Sequence, residues 1–113
     1  MYTYKIKKVN RVIDGDTIEV QIDLGFDIVI TQRVRLQDID APEVRTLDLA
    51  EKKLGLKAKK WLEDKISHSP DLIIKTTKDD KYGRILGTIF ANGETVSLNE
   101  TMLNEGLVDP YLV

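Results

Sequence analysis

The chain contains no cysteine. A disulfide framework, a thiolate metal site and a cysteine nucleophile are therefore excluded. Aromatic residues make up only 6% of it, mostly at its ends or in apparent core positions. A module that binds single strands by base stacking needs exposed aromatics on its sheet, and this chain offers few. No apolar run approaches the length of a membrane span, so no membrane partner is expected. Basic residues are missing from the last quarter. All 17 Lys and Arg lie between Lys5 and Arg84, and Ile85 to Val113 carries only the acids Glu94, Glu100, Glu105 and Asp109. A phosphate backbone, if one is bound, is not held there. The opening Met1-Tyr2-Thr3-Tyr4-Lys5-Ile6-Lys7 alternates like a strand and lacks the apolar segment of a signal peptide. As written the chain is expected to be cytoplasmic, and secreted if a leader has been trimmed away.

What is present fits one soluble domain spanning residues 1–113, with 42% hydrophobic and 32% charged residues. The net charge of −2 weighs against nonspecific nucleic-acid binding, which relies on positive charge. The stretch Arg45 to Lys65 is locally basic and reads as a solvated helix face.

Strands are expected over Tyr4 to Ile13, Asp16 to Leu24 and Ile28 to Asp38. The second alternates cleanly, with Ile18, Val20, Ile22 and Leu24 on one face. The third places Ile28, Ile30, Val34 and Leu36 on one face, and Pro42 stops it. Residues Glu43 to Lys53 read as a loop, after which Leu54, Ala58, Trp61, Leu62 and Ile66 fit a helix face. Further strands are expected over Leu72 to Thr77 and Ile85 to Ala91, followed by a hairpin turn at Asn92-Gly93. Ser97 and Glu100 have the spacing of a capping box, so a short helix should run to Glu105 and end at Gly106. A helix between the third and fourth strands of a five-stranded sheet matches an OB barrel, mainly β with helices.

Three short stretches carry the chemistry: Ile13-Asp14-Gly15-Asp16-Thr17, then Arg35 to Glu43, then Asp80-Lys81-Tyr82-Gly83-Arg84. Carboxylates suit a hard, oxygen-loving cation, and arginine forks suit phosphate oxygens. Both together are equipment for cutting a phosphodiester. Matching the apolar faces of strands two and three puts Ile18 opposite Val34 and Ile22 opposite Ile30. Asp16 then falls opposite Leu36, beside Arg35, and the row Val34, Leu36 continues into Asp38 and Asp40. Strict alternation nevertheless points Arg35 and Asp40 to opposite faces. The carboxylates converge only if the chain bends near Ile39.

In order, spacing and flanking residues, these stretches resemble the staphylococcal nuclease (thermonuclease) family from about Val9 to Val108. The resemblance implies an OB-fold nuclease that hydrolyses DNA and RNA with Ca²⁺ and leaves 3′-phosphate ends. It implies that Asp16, Asp40 and the backbone carbonyl of Ala41 hold the metal, with Asp14 and Thr17 supporting them from behind. The family often has Thr where this chain has Ala41. Glu43 would orient or deprotonate the attacking water, and Arg35 and Arg84 would hold the scissile phosphate. A guanidinium gives up its proton too reluctantly to be a general acid, so charge stabilisation is the role expected of Arg84. Lys81 and Tyr82 match positions that contact a terminal phosphate, and Tyr111 sits near a base-stacking position. Family members continue into a third, C-terminal helix, and this chain stops at Val113. The protein is expected to act as a monomer.

Each stretch alone has a plainer reading, as a turn, a strand exit or a polar hairpin; the weight lies in the combination. His68, the only histidine, reads as an exposed helix-end residue, and Trp61 as core. The competing function is a nuclease-like OB module, catalytically weak or inactive, that binds nucleic acid or a protein partner. Such modules typically lose the carboxylates and arginines, and here Asp16, Arg35, Asp40, Glu43 and Arg84 all remain.

Overall fold

The computed structural model describes residues 2–79 and 83–111. Its elements are β1 (Tyr2–Asp14), β2 (Thr17–Gly25), β3 (Ile28–Leu36), β4 (Ile39–Asp40), α1 (Leu49–Ser67), β5 (Leu72–Asp79), β6 (Ile85–Ala91), α2 (Leu98–Asn104) and β7 (Asp109–Pro110). Five strands close a mixed barrel in the order β1-β2-β3-β6-β5, and β5 returns to β1. This is the mainly β, OB-type architecture expected, with α1 between the third and fourth barrel strands. The seam between β3 and β6 is parallel, with Val34 paired to Ile85 and Leu36 to Gly87. β4 and β7 form a small separate ribbon.

Alternation sets the β2–β3 register. Ile18 pairs with Val34 and Ile22 with Ile30, as the apolar faces require. Phe26 and Asp27 both take positive φ at the hairpin tip, a conformation whose twist suits a tight hairpin. Ile18, Val20, Ile22, Val34, Leu36, Ile74 and Ile89 fill the interior, capped by Ala58 and Leu62 of α1 and Met102 of α2. Ile28 was expected inward, yet it lies beside the hairpin tip, beyond the reach of the core, and is exposed.

The helices depart from expectation in two places. α1 begins at Leu49, because the Asp48 carboxylate accepts the Ala50 and Glu51 N–H groups as an N-cap. Its buried face is Gly55, Ala58 and Leu62; Leu54, expected inside, is 57% exposed. Ser97 caps α2 by accepting the Glu100 N–H, and Gly106 follows with φ +72°. The Asn92-Gly93 turn leads into that cap instead of a hairpin, and the Asn92 N–H donates to the Asp71 carbonyl. His68 is exposed at the C-terminus of α1, its Nδ1 2.7 Å from the Asp64 carbonyl oxygen. No helix among the described residues is long and apolar enough to cross a membrane.

Candidate active site

Asp16 ends the tight turn between β1 and β2 and is buried. Both oxygens of its carboxylate accept a protein donor. Oδ1 accepts the Thr17 hydroxyl at 2.9 Å and Oδ2 accepts the Ala41 N–H at 2.8 Å. The Asp16 carbonyl accepts the Leu36 N–H at 2.7 Å, which places the turn beside Leu36 as the hairpin register foretold. Each carboxylate oxygen has two lone pairs, so a cation could still approach.

Arg35 closes the site. Its Nη1 donates to the Leu36 carbonyl at 2.8 Å and stands 3.6 Å from Asp16 Oδ2. Its Nη2 stands 3.5 Å from Asp40 Oδ1. The Tyr111 ring lies 5.4 Å beneath the guanidinium, within cation–π range. One arginine thus bridges two carboxylates that the chain separates by many residues. The backbone bends at Asp38, which takes φ +66°, one residue before the place expected. That left-handed residue ends β3 at Leu36 and turns Asp38 out to solvent, so it does not continue the inward row. The bend also reverses the alternation that had pointed Arg35 and Asp40 apart.

The tail holds this bend. β7 pairs with β4, Asp109 opposite Asp40, and the Tyr111 N–H donates to the Asp38 carbonyl at 2.9 Å. Asn99 on α2 holds it from behind. Its Nδ2 donates to the Gln37 and Gly87 carbonyls, and its Oδ1 accepts the Ile89 N–H, at 3.0 to 3.1 Å. Asn99 lies between the capping-box residues Ser97 and Glu100, and the sequence reading gave it no role of its own. The readable signal was an amide beside the apolar Leu98, at a helix position that this fold buries.

α1 presses both loops into place. A Cβ on Gly15 would meet the Ala58 Cβ at 2.8 Å and the Ala41 Cβ at 3.1 Å. A Cβ on Gly55 would lie 2.7 Å from the carbonyl oxygens of Pro42 and Glu43. The helix backbone therefore abuts the loop that carries Glu43, and the small side chain at Ala41 fits the crowding around Gly15. Sequence reading missed Gly55 because glycine within a helix carries no periodic signal. Asp14 points at the Val44 N–H, 3.4 Å away, and so supports the Glu43 loop; Thr17 supports Asp16. Glu43 itself is exposed.

Arg84 is half-buried, one residue before β6. The parallel register brings that strand end alongside the strand of Arg35. Lys81 and Tyr82 lie outside the described residues. No three His, Asp or Glu groups converge to hold a metal among the described residues. The carboxylates of Asp16 and Asp40 both face the Arg35 guanidinium, and the Ala41 backbone N–H is anchored to the first. The two carboxylates are hard ligands of the kind Ca²⁺ takes, and too few to complete its shell without water or substrate oxygens.

The family model described as "Staphylococcal nuclease homologue" matches residues 33–112. Protein ParB of Escherichia coli is 34% identical over 111 residues, covering 92% of this chain and 56% of that protein. Micrococcal nuclease of Shigella flexneri is 33% identical over 111 residues, covering 92% of this chain and 57% of that protein. Endonuclease YhcR of Bacillus subtilis is 29% identical over 113 residues, a segment that is only 9% of its length. The chain spans little more than half the length of the first two relatives. With a matching barrel and a family model that covers most of its residues, the chain belongs to the staphylococcal nuclease family.

Proposed function

We propose that the chain hydrolyses phosphodiester bonds in DNA and RNA, without base selection, in a Ca²⁺-dependent reaction that leaves 3′-phosphate ends. The observation that carries this reading is the Arg35 fork between Asp16 and Asp40 at one end of the barrel. Micrococcal nuclease and endonuclease are the names of relatives, which supports the reaction class.

Asp16, Asp40 and the Ala41 carbonyl would hold the cation. When bound, Ca²⁺ supplies Lewis-acid polarisation of a phosphoryl oxygen. The protein's own groups do the rest. Glu43, on the loop pinned by Asp14 and Gly55, orients a water and takes its proton as the water oxygen attacks phosphorus. The P–O5′ bond breaks and the 5′-oxygen leaves, taking a proton from solvent water, so the phosphate stays on the 3′ side. Arg35 and Arg84 stabilise charge that grows on the equatorial oxygens. Lys81 and Tyr82 are assigned to a terminal phosphate of the substrate.

One observation favours the binding-module reading: both Asp16 oxygens already accept protein donors, a structural duty that needs no metal. A single assay separates the two. Single- and double-stranded DNA and RNA are incubated with Ca²⁺ or with excess chelator, and the product ends are analysed. The enzyme reading expects cutting only with Ca²⁺ and 3′-phosphate products. Equal cutting in chelator, or 5′-phosphate ends, would refute the mechanism; retention without cutting would select the binding module.

A further inference from the structure

Two of the chain's five arginines belong to the site above. The other three, Arg11, Arg33 and Arg45, line one open cleft of about 400 Å³, together with Asp14, Glu43 and Val44. Arg11 and Arg33 stand on neighbouring strands on either side of Glu19, which pairs with both in register. Glu19 lies between two guanidinium groups, its contact to Arg11 is long, at 3.9 Å, and Asp14 and Glu43 add two carboxylates to the wall, so the cleft offers arginine forks without a large net charge. The side chains of Arg33 and Arg45 form no hydrogen bond or ion pair with any described residue. Asp14 has turned one oxygen toward the Val44 N–H.

The plain reading is an exposed, solvated strand face. Residue type weighs against it. The chain uses lysine for twelve of its 17 bases, and none of the twelve lines this cleft. Guanidinium forks suit phosphate oxygens better than ammonium groups do. Position adds a second argument. Glu43 forms part of the wall, so the cleft opens directly beside the water-orienting group. One residue before the Val34–Ile85 pair stand Arg33, on β3, and Arg84, just ahead of β6. A strand whose scissile phosphate is held by Arg84 can therefore run on into the cleft.

We infer that the Arg11–Arg33–Arg45 cleft grips the sugar–phosphate backbone of the nucleic-acid strand next to the bond that is cut, with Arg33 and Arg45 each taking one phosphate. The inference rests on the phosphodiesterase reading for its class of ligand. The test is binding of a labelled single-stranded DNA in chelator, followed by fluorescence anisotropy across a range of salt. Arg33→Gln/Arg45→Gln should flatten the dependence of log K on log salt by about 1.4, at roughly 0.7 per lost phosphate contact. Lys5→Gln/Lys7→Gln removes the same charge nearer the hairpin tip and should leave the slope nearly unchanged. Arg33→Lys/Arg45→Lys keeps the charge and should retain the slope while weakening affinity. Equal flattening in the Arg→Gln and Lys→Gln pairs, or none in the arginine pair, overturns the cleft. Cleavage of the same strand with Ca²⁺ is scored separately. A protein that shows the arginine-specific slope and never cuts keeps the cleft and loses the nuclease reading. A protein that neither binds nor cuts loses both.

Discussion

Arg35 has little freedom left to lose. A carbonyl, two carboxylates and an aromatic ring hold its guanidinium, and its side chain is only 12% exposed. Such a group is placed before substrate arrives, which is where electrostatic stabilisation gains most. Arg35→Lys keeps the charge and loses the fork. It should lower kcat by ~10²–10³-fold, with a smaller change in KM; steady-state kinetics that show near-normal kcat would remove Arg35 from the chemistry. Asp16 teaches a different lesson. Two carboxylates brought near one point would by themselves repel. The structure sets Arg35 between them and gives Asp16 two buried hydrogen bonds. An Asn amide cannot accept from all these donors with both of its heavy atoms. Asp16→Asn should therefore cost about 1–3 kcal/mol in chelator, whereas the exposed Asp40→Asn should stay within about 0.5 kcal/mol. Denaturant unfolding of both variants checks this; equal midpoints would mean that the Asp16 bonds contribute nothing net.

α1 works as a press. Its small residues let the helix backbone touch the Asp14–Asp16 turn and the Pro42–Glu43 loop at once. Gly55→Ala gains helix propensity of about 1 kcal/mol in an unobstructed helix. Here the new methyl meets two carbonyl oxygens, neither of them the far end of a flexible side chain. The Glu43 loop must shift, so cleavage should fall much further than stability does. Activity and thermal unfolding measured on the same preparation decide it, and a fully active Gly55→Ala protein would dissociate the loop from catalysis. What could be read in advance follows from how each element is encoded. The β2–β3 register was legible because period-two alternation admits one pairing that buries Ile18, Ile22, Val34 and Leu36 together. The start of α1 was obscured because Leu47 and Leu49 are apolar yet exposed, which masked the Asp48 cap. The meeting of Arg35 and Asp40 was illegible for a stronger reason. It depends on a positive φ at Asp38, held by Asn99 and by the Tyr111 backbone from far along the chain. No local pattern encodes such a bend. The role of each site residue rests on family resemblance, since proximity alone does not assign chemistry.

The molecule as a whole is mildly acidic, at net −2. Under the proposed function, phosphate is held by local arginine against that background, so affinity should fall steeply from low to moderate salt. A flat response would indicate base stacking as the main attraction. Ca²⁺ and a nucleotide added together should raise the unfolding temperature through mass action, by about 2.7 kcal/mol of stability at a hundredfold excess over Kd; no shift at saturating amounts would contradict a joint site. The parallel seam has a further consequence, in time. β3 and β6 meet across about fifty intervening residues, with all of α1 inside the loop. Closing a long loop before its contacts repay the lost entropy is slow. Arg35 lies on one lip of that seam and Arg84 just before the other. Trp61, the only tryptophan, sits on α1 and reports by its fluorescence when the helix docks. If the chain cuts as proposed, turnover should appear only once the seam has joined. Under the proposed mechanism, a chain still emerging from the ribosome, or halted partway through refolding, should therefore be unable to cut nucleic acid however many of its hairpins already exist.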